Sequence, residues 1–237
     1  MPGSDLPPVL LLDLDDTILR FDAGQPNFWQ LAVRSHLPGH TDHAALLAAI
    51  EAEARAFWAP PERAFWGRQN MQAARRLIAV EALVGAGVDL DVCHRIADQM
   101  TEQKEAEVRP FDGALETLER LRERGHRLAL LTNGSVLFQR RKLARFGLEP
   151  CFERVLIEGE LGYGKPDRRV FETALEALGV APEEAWMIGD NLEADIGGAQ
   201  AVGITGVWID AHGSGLPATP PALPQRRILR LSDLLEL

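Results

Sequence analysis

Residues 9–17 read VLLLDLDDT, an apolar run that ends abruptly in the acidic residues Asp13, Asp15 and Asp16. A run that is apolar on both faces is typical of a strand inside a parallel sheet covered by helices on both sides. In open α/β sheets, ligands bind beyond the carboxyl ends of such strands, which is where these acids stand. An acidic turn that only caps a helix has the same appearance, so this stretch alone predicts a buried strand and leaves its function open.

Three later apolar runs end in the same way at small polar or charged groups. They are residues 128–131 before Thr132, residues 155–157 leading to Lys165, and residues 186–188 before Gly189 and Asp190. Because the carboxyl ends of parallel strands share one edge of a sheet, we expect these groups to meet Asp13 and Asp15 there.

The motifs DLDDT (13–17), LTNG (131–134), GKPD (164–167) and GDNLEAD (189–195) resemble, in order and spacing, those of the haloacid dehalogenase (HAD) superfamily of phosphatases and phosphotransferases. The resemblance extends from residue 9 to about residue 210. It implies an α/β fold with a doubly wound parallel sheet, a Rossmann-like core whose strands run in the order 5-4-1-2-3. Asp13 would then follow the middle strand.

A long helical segment interrupts this core pattern after Thr17. A helix start at Thr41 and Asp42, a helix over about residues 62–84 and another over residues 89–107 are predicted from apolar spacing and from Gly and Pro breaks. The chain thus divides into a core of residues 1–20 and 109–237 and an all-helical insert of residues 21–108. The resemblance implies that this insert is a cap domain that closes over the catalytic face.

From residue 109 onward, strands alternate with helices, as expected for parallel crossovers. Helices starting at Asp112 and Asp167 are predicted to be capped by those aspartates and to end at Gly125 and Gly179. A last strand at residues 206–209 precedes a Pro-rich loop and a short terminal element.

The composition is that of an ordinary globular protein, with 46% hydrophobic residues and a net charge of -10. This charge repels nucleic acids and anionic membranes, so neither is expected as a partner. Two cysteines, Cys93 and Cys151, fit neither a disulfide framework nor a zinc site and indicate reduced thiols. With no visible signal peptide and no membrane-length apolar run, a cytoplasmic location is predicted.

The segment GELGYGK at residues 159–165 has the spacing of a phosphate-binding P-loop up to its lysine. Pro166 follows, where that loop needs Ser or Thr to hold magnesium, and proline lacks the backbone donor that would contact phosphate. An ATP-hydrolysing P-loop is therefore excluded.

Asp13 is the candidate nucleophile, since a carboxylate is ionised at neutral pH and needs no partner base. The resemblance implies that Asp13 forms an aspartyl-phosphate. It also implies that Asp15 protonates the leaving alkoxide and then serves as base for the attacking water.

Acids as close as Asp13, Asp15 and Asp190 repel each other and a phosphate dianion, so a counter-cation is required, and carboxylate oxygens beside phosphate favour Mg²⁺. The resemblance implies that the metal is held by the Asp13 and Asp190 carboxylates and the backbone carbonyl of Asp15.

Thr132 is predicted to donate its hydroxyl to a phosphoryl oxygen, with the backbone N–H groups of Asn133 and Gly134 nearby, although a plain turn would have the same sequence. Lys165 is predicted to place a positive charge against the phosphoryl group. Asp195 is expected to support the metal's water shell or to orient Lys165.

These features predict a Mg²⁺-dependent phosphatase that acts on a small phosphorylated metabolite, such as a sugar phosphate, phosphoglycolate or a nucleoside monophosphate. The alternatives are a phosphomutase of the β-phosphoglucomutase type, a 2-haloacid dehalogenase, which Asp15 disfavours, and a metabolite-binding protein without turnover. The physiological substrate, the cap residues that select it and the oligomeric state are not readable from the sequence.

Overall fold

The computed structural model describes residues 6–21 and 27–237, and these form two compact units. Arg109–Leu237, together with the described residues before position 22, makes one unit, and residues 27–108 make the other. Residues 1–5 and 22–26, where the predicted core and the predicted cap begin, lie outside the described residues.

The strands of the first unit form a six-stranded sheet and a two-stranded sheet. They are β1 Val9–Leu12, β2 Leu19–Arg20, β3 Arg109–Pro110, β4 Arg127–Thr132, β5 Arg154–Ile157, β6 Ala185–Gly189, β7 Thr205–Ile209 and β8 Arg226–Ile228. The large sheet is parallel and runs β5-β4-β1-β6-β7-β8, while β2 and β3 pair antiparallel.

The predicted order of the five core strands is confirmed, because β1, β4, β5, β6 and β7 in chain order give 5-4-1-2-3 when read from β7 to β5. Strand β8 adds a sixth strand at the edge. The sequence left this segment as an undefined terminal element, since three residues carry too little periodicity to identify a strand. The pair β2 and β3 was not predicted for the same reason.

The helices of the second unit are α1 Phe28–His36, α2 His43–Trp58, α3 Pro61–Gln69, α4 Met71–Leu83 and α5 Leu90–Glu107. Those of the first unit are α6 Ala114–Glu123, α7 Val136–Arg145, α8 Glu158–Leu161, α9 Arg168–Leu178 and α10 Gly198–Gln200. Short 3₁₀ segments and one π-helical turn, Leu192–Gly197, complete the described elements. No helix within the described ranges is both long and apolar enough to cross a bilayer.

Two of the helix predictions were wrong in detail. The helix expected over residues 62–84 is divided into α3 and α4, because the backbone at Asn70 departs from helical geometry. Helix α6 is not capped by Asp112, since Gly113, in a left-handed conformation, occupies the cap position. Asp167 and Gly179 do cap α9 as predicted, and Asp42 and Asp89 cap α2 and α5.

Each unit has its own apolar core. All four residues of β1 are fully buried, as the apolar run predicts, and one face of the sheet packs on α9 through Phe171, Ala174 and Leu175. In the second unit, Ile50 and Phe57 of α2 belong to a separate buried cluster. The four motifs at residues 13–17, 131–134, 164–167 and 189–195 all lie in the first unit.

Candidate active site

Asp13 directly follows the central strand β1 and is 7% exposed. Its backbone N–H donates to the carbonyl of Ile188, the β6 neighbour, at 3.0 Å, which continues the parallel ladder one residue beyond the strand. Its Oδ1 accepts from Lys165 Nζ at 2.5 Å. The buried strand therefore fixes a carboxylate at its carboxyl end, with a cation against it.

Lys165 is held by contacts to both its backbone and its side chain. The Asn133 side chain accepts from the backbone N–H of Lys165 at 2.8 Å and donates to its carbonyl at 2.7 Å. The Lys165 ammonium lies 2.7 Å from Asp195 Oδ1 as well as against Asp13. Burial opposes its charge, but Asp13 and Asp195 outweigh this effect and raise the pKa of Lys165, so it is a fixed cation.

Asp13, Asp190 and Asp195 form a carboxylate cluster whose ligand oxygens all lie within 4.8 Å of one another. Burial, only partly offset by Lys165, raises the pKa of Asp13 to about 7. Burial and the neighbouring charges of Asp13 and Asp195 raise the pKa of Asp190 to about 8. Three acids with one ammonium are under-compensated, and hard oxygens at this spacing suit a small divalent cation.

Asp195 is 1% exposed and lies in the π-helical turn that follows β6. Its Oδ2 accepts from the backbone N–H of Asn191 at 3.0 Å. A Cβ added at Gly189 would collide with the Asp195 carboxylate, so the glycine at the end of β6 makes room for this acid.

Thr132, the last residue of β4, is 2% exposed, and its Oγ1 accepts from the side-chain amide of Gln139. The following turn bends at Gly134, whose φ of 127° is open to glycine but strained for other residues. The Gly134 N–H donates to Glu158 Oε2 at 2.8 Å. It is therefore engaged within the protein, against the expectation that it is available to a phosphoryl oxygen.

The Asp15 carboxylate does not join the cluster. Both of its oxygens lie 2.6 Å from Lys142 Nζ, and its Oδ2 accepts from Gln139 Nε2 at 3.0 Å. The turn behind it is set by Asp16, which has a positive φ of 59° and accepts from the Phe21 N–H at 2.9 Å. Of the three acids predicted to lie together, Asp13 and Asp190 do so, joined by Asp195, whereas the Asp15 side chain lies against Lys142.

Three residues at this edge of the sheet were missed by the sequence reasoning: Gln139, Lys142 and Glu158. Gln139 and Lys142 lie three residues apart on α7, directly after the LTNG turn, so helical spacing was an available signal. Glu158, 1% exposed, follows β5 immediately, and an acid at the end of a buried strand was a second signal.

Residues 8–203 match the family described as haloacid dehalogenase-like hydrolase. A phosphoserine phosphatase of Thermus thermophilus is 37% identical over 97% of each chain. A glyceraldehyde 3-phosphate phosphatase of Pyrococcus furiosus is 42% identical over 43% of this chain and 42% of that protein. A crystal structure of the HAD-hydrolase YfnB from Bacillus subtilis, bound to magnesium, has a TM-score of 0.70 at 25% identity, with 98% of both chains covered.

Proposed function

The chain belongs to the haloacid dehalogenase-like hydrolases, and we propose that it is a Mg²⁺-dependent phosphatase that hydrolyses a small phosphate monoester through an aspartyl-phosphate on Asp13. The observation that carries the proposal is the buried Asp13 carboxylate at the end of β1, paired with Lys165 inside a cluster of acids. The similar phosphoserine and glyceraldehyde 3-phosphate phosphatases support a phosphate monoester as substrate.

A divalent cation fits the donor set. Asp13 and Asp190 would hold it by their carboxylates and Asp15 by its backbone carbonyl. Bound there, it would neutralise the acids and the phosphate dianion and stabilise the charge that develops during transfer. The magnesium in the similar Bacillus subtilis structure supports this choice of metal.

The first chemical step uses Asp13 and Asp15. A carboxylate oxygen of Asp13 bonds to phosphorus as the bond from phosphorus to the ester oxygen breaks, and the departing alkoxide takes the proton of the neutral Asp15 carboxyl group, which leaves Asp15 as a carboxylate. In the second step Asp15 takes a proton from a water molecule, which attacks the same phosphorus. Inorganic phosphate leaves, and the Asp13 carboxylate is regenerated.

Other groups hold the phosphoryl group and the nucleophile. Lys165 keeps its charge against Asp13 throughout, and Asp195 orients it through the 2.7 Å contact. Thr132 accepts from Gln139, and its hydroxyl donates to the Asn133 carbonyl at 3.5 Å, a long contact that a phosphoryl oxygen would replace. Asn133 holds the backbone of Lys165, so its side chain has a supporting role. We also propose that the helical unit, residues 27–108, is the cap that selects the substrate.

The test is a panel of phosphorylated metabolites, including O-phosphoserine and glyceraldehyde 3-phosphate, assayed for phosphate release with Mg²⁺. We expect chelator to abolish release and Asp13→Asn to show no turnover, while the exposed Asp112→Asn, a matched loss of one carboxylate, retains wild-type activity. Acid quenching of a reaction with ³²P-labelled substrate should leave label on the wild-type protein and none on Asp13→Asn. Turnover that survives chelator or Asp13→Asn would refute the proposal.

The three alternative functions would give different results in assays of this kind. A phosphomutase would move label between positions of a hexose phosphate without net phosphate release. A dehalogenase would release halide from a 2-haloacid in the presence of chelator. A binding protein would retain a metabolite of the panel without turnover.

A further inference from the structure

Lys142, on helix α7, contacts Asp15 at the candidate active site but lies outside the four sequence motifs. Its Nζ lies 2.6 Å from each Asp15 oxygen, and the Phe21 ring centroid is 4.4 Å from the same nitrogen. Only 13% of the Lys142 side chain and 24% of the Asp15 side chain are exposed. A symmetric, shielded contact of this kind restricts the side-chain conformation of Asp15 far more than a solvated surface pair would.

Gln139 links the same carboxylate to the phosphate-binding turn. Its Nε2 lies 3.0 Å from Asp15 Oδ2 and 2.9 Å from the Asn133 carbonyl, and it also donates to Thr132 Oγ1. Gln139 is 2% exposed, so these contacts replace water rather than compete with it. One buried amide therefore keeps Asp15 and the Thr132 hydroxyl in a fixed relation.

The start of α7 explains why these two residues reach Asp15. Ser135 caps the helix by accepting from the Phe138 N–H at 3.3 Å, which fixes the first turn directly after Gly134. The other basic residues nearby do not point to the site, since Arg140 pairs with Glu149 and Glu160, and Arg141 is exposed.

We propose that Lys142 and Gln139 are positioning residues that aim the Asp15 carboxyl at the leaving-group oxygen. This inference rests on the proposed function, in which Asp15 transfers the proton. General acids contribute about 10² to 10⁴ in rate, and a displacement of about 1 Å costs on the order of 100-fold. Loss of the Lys142 contact frees Asp15 to adopt other rotamers without disturbing the groups that bind the phosphoryl oxygens, whereas loss of Gln139 also removes the donor to Thr132 Oγ1.

The dependence on the leaving group separates this role from a structural one. An alkoxide is strongly basic and needs the proton, whereas p-nitrophenolate is weakly basic and leaves without it. We expect Lys142→Met to lower kcat/KM, which covers only the steps up to formation of the aspartyl-phosphate, about 10- to 100-fold on the best alkyl phosphate of the panel and about threefold or less on p-nitrophenyl phosphate. Hydrolysis of the aspartyl-phosphate, in which Asp15 is the base, is common to both substrates, so a loss of kcat from that step is the same on both. Lys142→Arg should recover part of the loss. Gln139→Met should show the same preference for the aryl ester, together with a loss common to both substrates because Gln139 also holds the Thr132 hydroxyl.

Two comparisons complete the test. Arg141→Met removes one positive charge from the same helix. It should leave kcat/KM at the wild-type value on both the alkyl phosphate and p-nitrophenyl phosphate. In an Asp15→Asn background, Lys142→Met should cause no further loss on the alkyl phosphate, because the group it positions is already disabled.

The inference is wrong if Lys142→Met and Gln139→Met lower kcat/KM by the same factor on both substrates, or if their losses in kcat/KM multiply with that of Asp15→Asn. Full activity of Asp15→Asn on the alkyl phosphate would instead overturn the role that the proposed function gives to Asp15. A wild-type protein without metal-dependent phosphate release would overturn the proposed function itself, so the failures are distinguishable.

Discussion

Replacement of Lys165 by Met should produce a pH-dependent loss of stability. The Lys165 ammonium, whose side chain is 3% exposed, lies between Asp13 at 2.5 Å and Asp195 at 2.7 Å. Its removal leaves buried carboxylates without their counter-charge, and breaking a buried pair in this way costs about 3–5 kcal/mol. We expect that loss in the free energy of unfolding at pH 8 in metal-free buffer.

The raised pKa values of the buried carboxyl groups determine how the stability loss of Lys165→Met depends on pH. Burial already raises the pKa of Asp13 to about 7 with Lys165 in place, and loss of the lysine raises it further. A carboxyl whose folded-state pKa is raised favours the folded state at low pH, and this contribution is lost as pH rises from its unfolded pKa, near 3.8, through the folded value. Wild type and variant share this dependence up to about pH 7, so only the interval from pH 7 to pH 8, about 1.4 kcal/mol per carboxyl, separates them. At pH 5 the loss should therefore shrink to about 2–4 kcal/mol.

Urea denaturation at pH 5 and pH 8, with chelator present, measures both values. Arg168→Met is the matched control, because its side chain is 64% exposed and its pair with Glu172 lies on the surface. That variant should lose less than about 1 kcal/mol at either pH. An equal loss for Lys165→Met at both pH values, or a loss at pH 8 no larger than that of the control, would refute this account of the cluster.

Three further outcomes are expected. Mg²⁺ should raise the thermal unfolding temperature more at pH 8 than at pH 6, because its binding must displace protons from Asp13 and Asp190, whose pKa values are raised to about 7 and 8. An equal increase at the two pH values, measured by calorimetry, would contradict this. Gly164→Ala should destabilise the fold by about 1–3 kcal/mol and reduce turnover, since the added Cβ would lie 2.7 Å from Glu158 Cγ. Gly85→Ala, which has open space around it, should be neutral or stabilising in the same urea denaturation assay. Asp167→Ala should cost about 1 kcal/mol by loss of the α9 cap, and unchanged stability would show that its 2.9 Å contact to the Arg169 N–H contributes nothing.

The strand ends of the site were predictable because their signal is local. An apolar run followed by a polar residue marks the end of a buried strand, and this was enough to assign β1, β4, β5 and β6. Their order was implied by the family resemblance and is confirmed by the sheet. Asp13, Lys165 and Asp190 come together because parallel strands share one edge, whatever the details of packing.

The errors lie where local signals are weak or compete. Residues 62–84 have helical spacing throughout, and only the backbone at Asn70 separates α3 from α4. The sequence offered Asp112 as a cap, but Gly113 takes that position because its left-handed conformation, at a φ of 75°, suits a glycine. Strand β8 depends on pairing with β7 and has no pattern of its own.

The sequence by itself determined the chemistry available at the edge of the sheet: which strands are buried and which acids, hydroxyl and ammonium follow them. Only the tertiary structure decided how these groups are paired. Asp195 enters the acid cluster, while the side chain of Asp15 turns to Lys142, 127 residues away in the chain. The spacing of apolar residues in the sequence indicates which face of a helix or strand is buried. The partner of a charged side chain depends instead on the rotamer it adopts and on which helix packs beside it.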